Sequence, residues 1–152
     1  MVDILENQEF NATNLLSFRG EVKQADLENI GISMEEYITK AGAERIGNTI
    51  TATFSIASDS IDIELLMPVN SIIQSTDIYT FKHQFKIVNA VVAKYKGHPS
   101  GLNEVCNQLN QYIIDKKMQP ITSGYNVTRK LDLLNPKNTE VDVFVGINPN
   151  IL

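Results

Sequence analysis

The sequence is poor in the residues that build disulfides, metal sites and membrane spans. Its 152 residues include one cysteine, two histidines and no tryptophan. The single cysteine, Cys106, excludes an internal disulfide and is typical of a reducing compartment. No apolar run approaches the roughly 20 residues of a membrane-spanning helix, and the acidic start lacks the basic and apolar segments of a secretory signal. These absences predict a cytoplasmic protein with no membrane partner.

Positive charge is also scarce. The chain has 13 lysines and arginines against 18 acidic residues, a net charge of −5, and no basic cluster is denser than residues 94–96. A nucleic-acid interface needs concentrated positive potential, so we expect no direct nucleic-acid partner. A hydrophobic fraction of 43% with 20% charged residues is ordinary for a globular protein. The length fits a single domain over residues 1–152.

The two halves of the chain resemble each other. Three pairs of segments match in the same order, at offsets of 77, 75 and 80 residues: "SFRG" (17–20) with "KYKG" (94–97), "EYITKAGAERI" (36–46) with "QYIIDKKMQPI" (111–121), and "IDIELLMPVN" (61–70) with "VDVFVGINPN" (141–150). A duplicated unit with small loop changes would leave this pattern. We therefore predict a first repeat at about 14–70, a connector at 71–89 and a second repeat at about 90–150.

Each repeat contains the pattern of one strand, one helix and two further strands. Apolar residues recur at helical spacing from Leu27 and again from Leu102. Asp26 or Ser33 could cap the first helix, and Ser100 the second. Alternating apolar residues predict strands on both sides of each helix. The result is an α+β fold of two β-α-β-β repeats related by a pseudo-twofold axis, an antiparallel sheet with two helices on one face and a groove on the other.

Two segments resemble the GyrI-like effector-binding domains. "YKGHPSGLNEVCNQLNQYI" matches that family's aromatic-x-Gly segment and the amphipathic helix after it. "IDIELLMPV" matches its D-x-E-aliphatic-x-x-P-V strand, with Asp62, Glu64, Pro68 and Val69 at the expected positions. The resemblance spans about residues 14–149. It implies a fold shared with haem-binding SOUL proteins and with the ligand-sensing halves of some transcription regulators. It also implies a groove for hydrophobic or cationic small molecules, and in some members gyrase inhibition or hydrolysis of small strained compounds.

The strand after the second helix departs from this family. Members that bind cations or catalyse hydrolysis carry Glu there, followed two residues later by Tyr, whereas this chain has Tyr125 and Val127. No carboxylate lies between Asp115 and Asp132. Because a buried carboxylate would attract a cation or act as a general base, the sequence disfavours both functions. Arg129 would favour an anion if it faces the groove.

Relatives that regulate transcription carry a helix-turn-helix segment before the sensing domain. Here about fourteen residues precede the first predicted strand. We therefore expect a stand-alone module that does not itself bind DNA.

The candidate groove residues are aromatic, soft or charged side chains on the predicted strands and helices: Tyr125, Tyr95, Phe18, Met67, Glu64, Arg129, Tyr37 and Tyr112. The tyrosines of the two helices could instead pack on the sheet, and Asp62 and Glu64 could lie on a solvated sheet face. Cys106 is interpreted as a small buried residue. His83 and His98 lack metal-ligand spacing, and haem binding would rest on the fold analogy alone. We expect no catalytic residue, metal site or cofactor.

Three functions remain open. The favoured one is a non-enzymatic binding module that holds a small apolar or amphipathic ligand in the groove between the repeats. The alternative is a protein-interaction module, an adaptor or inhibitor, in which the groove or a sheet edge receives another chain. A small hydrolase, with Glu64 or Asp62 as base, comes third. The sequence leaves the ligand, the partner protein and the oligomeric state open.

Overall fold

The computed structural model describes residues 2–151, which form six strands and two main helices. In chain order the elements are β1 (Val2–Lys23), α1 (Leu27–Lys40), β2 (Ile50–Ile56), β3 (Ser60–Pro68), β4 (Tyr79–Lys96), α2 (Leu102–Asp115), β5 (Pro120–Lys130) and β6 (Glu140–Ile147). Short 3-10 turns precede α1, α2 and β6. The chain divides into two compact units, which we call the α1 unit (residues 11–85) and the α2 unit (residues 2–10 and 86–151).

In the α1 unit, β3 lies between β1 and β2 and pairs antiparallel with both. Phe18 stands opposite Leu65, and the strands run in regular register from there. Because successive strand residues point to opposite faces, every second residue of β3 packs against α1. The core on this helix side contains Leu16, Met34, Ile38, Ala43, Ile63, Leu65, Met67, Val69 and Ile73.

The α2 unit repeats this arrangement with its own strands. Here β6 pairs antiparallel with both β4 and β5, and Tyr95 stands opposite Val141. The apolar stripe of α2 packs on alternate residues of β4 and β6. The core contains Val91, Ala93, Val105, Leu109, Ile113, Val143, Val145 and Ile147.

The α+β fold class is confirmed, and each unit follows the order strand, helix, strand, strand. The helices begin 75 residues apart and both have 14 residues, which agrees with the helical match in the sequence. The match between the strand segments 61–70 and 141–150 does not agree with the structure in the same way. Leu65 and Val141 hold the same ladder position, an offset of 76, so the two phrases matched at an offset of 80 lie four residues out of register. The duplication itself stays a prediction.

The predicted start of the first strand was wrong. β1 begins at Val2 rather than near residue 14. The regular strand conformation is interrupted at Asn7 and Asn14, which have positive φ angles of 56° and 57°. The predicted connector at 71–89 is partly extended, since β4 starts at Tyr79.

The predicted helix caps also need correction. Asp26 is the N-cap residue of α1, but its side chain makes no capping hydrogen bond, and Ser33 lies inside the helix. Ser100 does not cap α2, because α2 begins at Leu102 and the N–H of Ser100 donates to Nδ1 of His98 at 3.1 Å.

Candidate functional site

The predicted site residues lie on different faces of the strands. Phe18, Met67 and Tyr37 belong to the helix-side core of the α1 unit or pack against it. Tyr95 and Tyr112 do the same in the α2 unit. Since these five pack against a helix, the structure gives them a structural role, and their contact with a ligand stays a prediction.

The tyrosines of the two helices fasten other segments to their own unit. The Tyr37 hydroxyl donates to the carbonyl oxygen of Gln74 at 2.7 Å, and the Tyr37 ring lies 5.3 Å from that of Tyr79. The Tyr112 hydroxyl donates to Oε2 of Glu6 at 2.5 Å. This hydrogen bond is the main cause that raises the pKa of Tyr112. Tyr37 also lines an open cavity of about 370 Å³ beside the end of α1.

Tyr95 is held where β4 leads into α2. Its hydroxyl donates to the carbonyl oxygen of His98 at 2.8 Å. A Cβ atom at either Gly97 or Gly101 would collide with that hydroxyl. The two glycines therefore make room for Tyr95, which explains their place in "YKGHPSG" without a ligand.

This packing predicts a stability effect at Gly101. Gly101→Ala should lower the free energy of unfolding by about 1–3 kcal/mol, because the Tyr95 hydroxyl must leave its position. In a Tyr95→Phe background the same change should cost clearly less. Gly31→Ala in α1, where a Cβ meets nothing within 4 Å, should be neutral or stabilising. Urea denaturation of the four variants measures this, and an equal cost of Gly101→Ala in both backgrounds would contradict it.

Glu64 lies on the face of β3 that points away from α1. Its side chain is only 7% exposed. Oε2 accepts a hydrogen bond from the Ser17 hydroxyl at 3.0 Å and one from the Lys82 ammonium at 2.7 Å. The same ammonium lies 5.8 Å from the centre of the Phe85 ring. A buried carboxylate needs such partners, since an unpaired charge is expensive to remove from water.

A second carboxylate on the same face of β3 has a similar environment. Asp62 pairs with Arg19 at 2.9 Å, and the guanidinium of Arg19 lies 3.6 Å from the centre of the Phe54 ring. Arginine over an aromatic face is a favourable arrangement. β3 thus presents two carboxylates, one buried and one partly exposed, each with a cation that also lies over or near an aromatic ring.

The α2 unit carries a buried carboxylate that the sequence analysis missed. Asp142 on β6 stands directly opposite Val127, so it lies on the same face of the sheet. It is buried, and its Oδ1 accepts a hydrogen bond from Nε of Arg129 at 2.7 Å. The carboxylate that β5 lacks is therefore supplied by the neighbouring strand. The absence of a carboxylate between Asp115 and Asp132 therefore does not leave this sheet face without an acid.

Arg129 is consequently engaged and does not offer its charge to an anion. It pairs with Asp142 and, through Nη1 at 3.2 Å, with Glu140. Burial works to lower the pKa of Arg129, but the hydrogen bonds and charges of these two carboxylates outweigh it and raise the pKa. Tyr125 is buried nearby on β5, opposite Phe144.

The other candidate chemistries find no support in the geometry. Cys106 is half-buried on α2, and burial raises the pKa of its thiol, which disfavours a nucleophilic thiolate. The His83 ring stacks edge-on against Phe81, and His98 contacts Ser100. Across residues 2–151 no three His, Cys, Asp or Glu side chains cluster as metal ligands would. Within the same residues, neither helix is long and apolar enough to cross a bilayer.

Comparison with solved structures places the fold among bacterial regulator-like proteins. The crystal structure of the EcmrR C-terminal domain matches with a TM-score of 0.71 and 15% identity over 97% of both chains. EcmrR bound to DNA in EcmrR-RPo matches with a TM-score of 0.74 and 16% identity over 97% of this chain, which spans 57% of that one. SAV2435, bound to tetraphenylphosphonium, matches with a TM-score of 0.53 and 9% identity over 98% of this chain and 94% of that one.

Neither a protein-family model nor a curated protein sequence matches the chain. Identities this low establish the fold alone. The resemblance to GyrI-like domains therefore holds at the level of the fold.

Proposed function

We propose that this protein is a non-enzymatic small-molecule-binding module whose ligand is an amphipathic organic cation. The observation that carries the proposal is the position of the Lys82 ammonium, which lies on the buried Glu64 carboxylate and close to the Phe85 ring. Carboxylate and aromatic face together form the usual receptor for an organic cation. Lys82 occupies the position that the positive group of a ligand would take.

The pair between Glu64 and Lys82 has little value as a stabilising device. A buried ion pair is often no better for stability than apolar residues of the same volume, because both charges lose their hydration. Glu64 is fixed by β3 and by Ser17, whereas the Lys82 side chain is 32% exposed and sits on a flexible four-carbon stem. Lys82 can therefore swing into water while a ligand cation replaces it on Glu64.

The fold neighbour SAV2435 supports the cationic ligand, since its structure contains tetraphenylphosphonium, an apolar cation. The buried carboxylates also remove the reason for which the sequence disfavoured a cation. A hydrolase is less well supported, because Glu64 is already paired with the Lys82 ammonium and the Ser17 hydroxyl rather than with a nucleophile. The protein-interaction alternative stays a prediction.

A pair of probes with the same shape and opposite charge tests the proposal. Tetraphenylphosphonium and tetraphenylborate are titrated into the whole chain by isothermal calorimetry at 0.15 M salt. We expect saturable binding of the cation and at least roughly tenfold weaker binding of the anion, because Glu64 attracts only the cation. Equal affinity for both ions, or tighter binding of the borate, would exclude a cation site.

A further inference from the structure

The loop between β5 and β6 presents three leucines to solvent. Leu131 is 53% exposed, Leu133 81% and Leu134 fully exposed. The loop has local structure: the Asp132 side chain accepts a hydrogen bond from the N–H of Asn135 at 2.9 Å, and a 3-10 turn follows at Pro136–Asn138. Three large apolar side chains are therefore exposed to water on a loop whose backbone is hydrogen-bonded. Contiguous exposed apolar residues of this kind mark interaction sites.

Three lysines surround this leucine loop, which we define as residues 131–138. Lys96 and Lys130 stand on either side of Glu140 in the strand ladder, and Lys137 belongs to the loop itself. The Glu140 carboxylate forms its ion pair with Arg129 and not with either of these lysines. Among the described residues none of the three lysines has a carboxylate within the 4.0 Å of an ion pair, whereas Lys82, Lys86 and Lys94 all do.

We propose that the leucine loop docks on an anionic lipid surface. Leucines that project from a turn can enter the boundary between head groups and acyl chains, and unpaired lysines beside them attract lipid phosphates. The chain as a whole is acidic, with a net charge of −5 that includes these lysines, so an anionic membrane would repel it elsewhere. The three lysines therefore favour an anionic membrane, and the acidic remainder favours an orientation in which the leucine loop faces it. This proposal departs from the prediction of no membrane partner.

Vesicle co-sedimentation of the whole chain at 0.15 M salt tests this proposal. Vesicles of phosphatidylcholine with one quarter phosphatidylserine are compared with pure phosphatidylcholine. We expect binding to the mixed vesicles only. The variant Leu133→Asp with Leu134→Asp should bind at least about tenfold more weakly, and so should the variant with Lys96, Lys130 and Lys137 all changed to Gln. These exposed changes leave both cores intact, which circular dichroism verifies.

Ile56 provides a matched control. It is 79% exposed at the end of β2, next to the turn into β3, and lies outside the leucine loop. Ile56→Asp should leave vesicle binding unchanged. The proposal is overturned if the wild type ignores the mixed vesicles, if it binds neutral vesicles equally well, or if Ile56→Asp loses as much as the leucine variant. It is also overturned if the leucine variant only converts a dimer to a monomer, since a second copy would then be the partner.

Discussion

Glu64→Gln is expected to lower the affinity for tetraphenylphosphonium by about tenfold or more. Gln has nearly the shape of Glu and can still bond to Ser17, so the strand and its packing are kept. The substitution removes the negative charge that the ligand cation needs, in a position where burial keeps water from screening it. Calorimetric titration of the wild type and the variant measures the difference.

Asp62→Asn is the control for this experiment. Asp62 lies two residues away on the same strand and faces the same side, but it is partly exposed and paired with Arg19. The same chemical change at this position should alter the affinity by less than about threefold, because solvent screens an exposed charge. A comparable loss in both variants would mean that the ligand responds to the overall charge and not to Glu64.

Periodicity predicted most of the fold because each element buries one continuous apolar face. Both helices carry a stripe that packs on its sheet, and β2, β3, β5 and β6 lie within two or three residues of the predicted strands. The prediction that the first strand begins after the first ten residues failed for a physical reason. Asn7 has a positive φ angle, and Val2 and Ile4 pack against the α2 core whereas Phe10 contacts Phe144 on the other face of the sheet, although all three are even-numbered positions.

The site was harder to predict than the fold. Glu64 was singled out through its position in a family-like strand, and the structure does place it in a buried polar environment. Its partner Lys82 lies 18 residues further on, in a segment interpreted as a connector, and no local spacing links the two. Asp142 was missed because the acid was sought on one strand, whereas a sheet face is assembled from several.

The helix-side residues illustrate the opposite case. Tyr95, Phe18 and Met67 attract attention as groove residues by their chemistry, yet alternation places them on the side that packs against a helix. The position of a residue in its strand decides which face of the sheet its side chain occupies. Asp62 and Glu64 lie on the face opposite to Ile63 and Leu65, so the polar residues of a strand identify the face that is left for a ligand.

Each unit thus contains one buried carboxylate on the face opposite its helix, Glu64 in the α1 unit and Asp142 in the α2 unit. Their cations differ in kind. Asp142 accepts a hydrogen bond from Arg129, whose planar guanidinium also binds Glu140. Lys94 also lies 3.8 Å from Asp142, whereas Glu64 pairs with the ammonium of Lys82. Because a lysine is tied by fewer directed bonds than an arginine shared by two carboxylates, Glu64 is the carboxylate whose partner a ligand can replace.

Lys82→Met is therefore expected to raise the affinity for tetraphenylphosphonium, by about tenfold, although it removes a residue of the site. In the wild type the ligand must compete with the protein's own ammonium, and in the variant it does not. Without ligand the variant should lose about 1–2 kcal/mol of stability, the cost of an unpaired carboxylate reduced for the partial exposure of Lys82. Saturating ligand should restore this loss, so thermal unfolding with and without ligand gives the signature.

Lys86→Met separates this competition from a general effect of charge. Lys86 follows four residues later on β4 and pairs with the exposed Glu9 at 3.6 Å, so the net charge changes equally in both variants. Its affinity for the cation should remain within about twofold of the wild type, because an exposed pair contributes little. If Lys82→Met weakened binding, Lys82 would be a ligand contact rather than a competitor. The cation would then not replace Lys82 on Glu64, and the cationic assignment would be wrong.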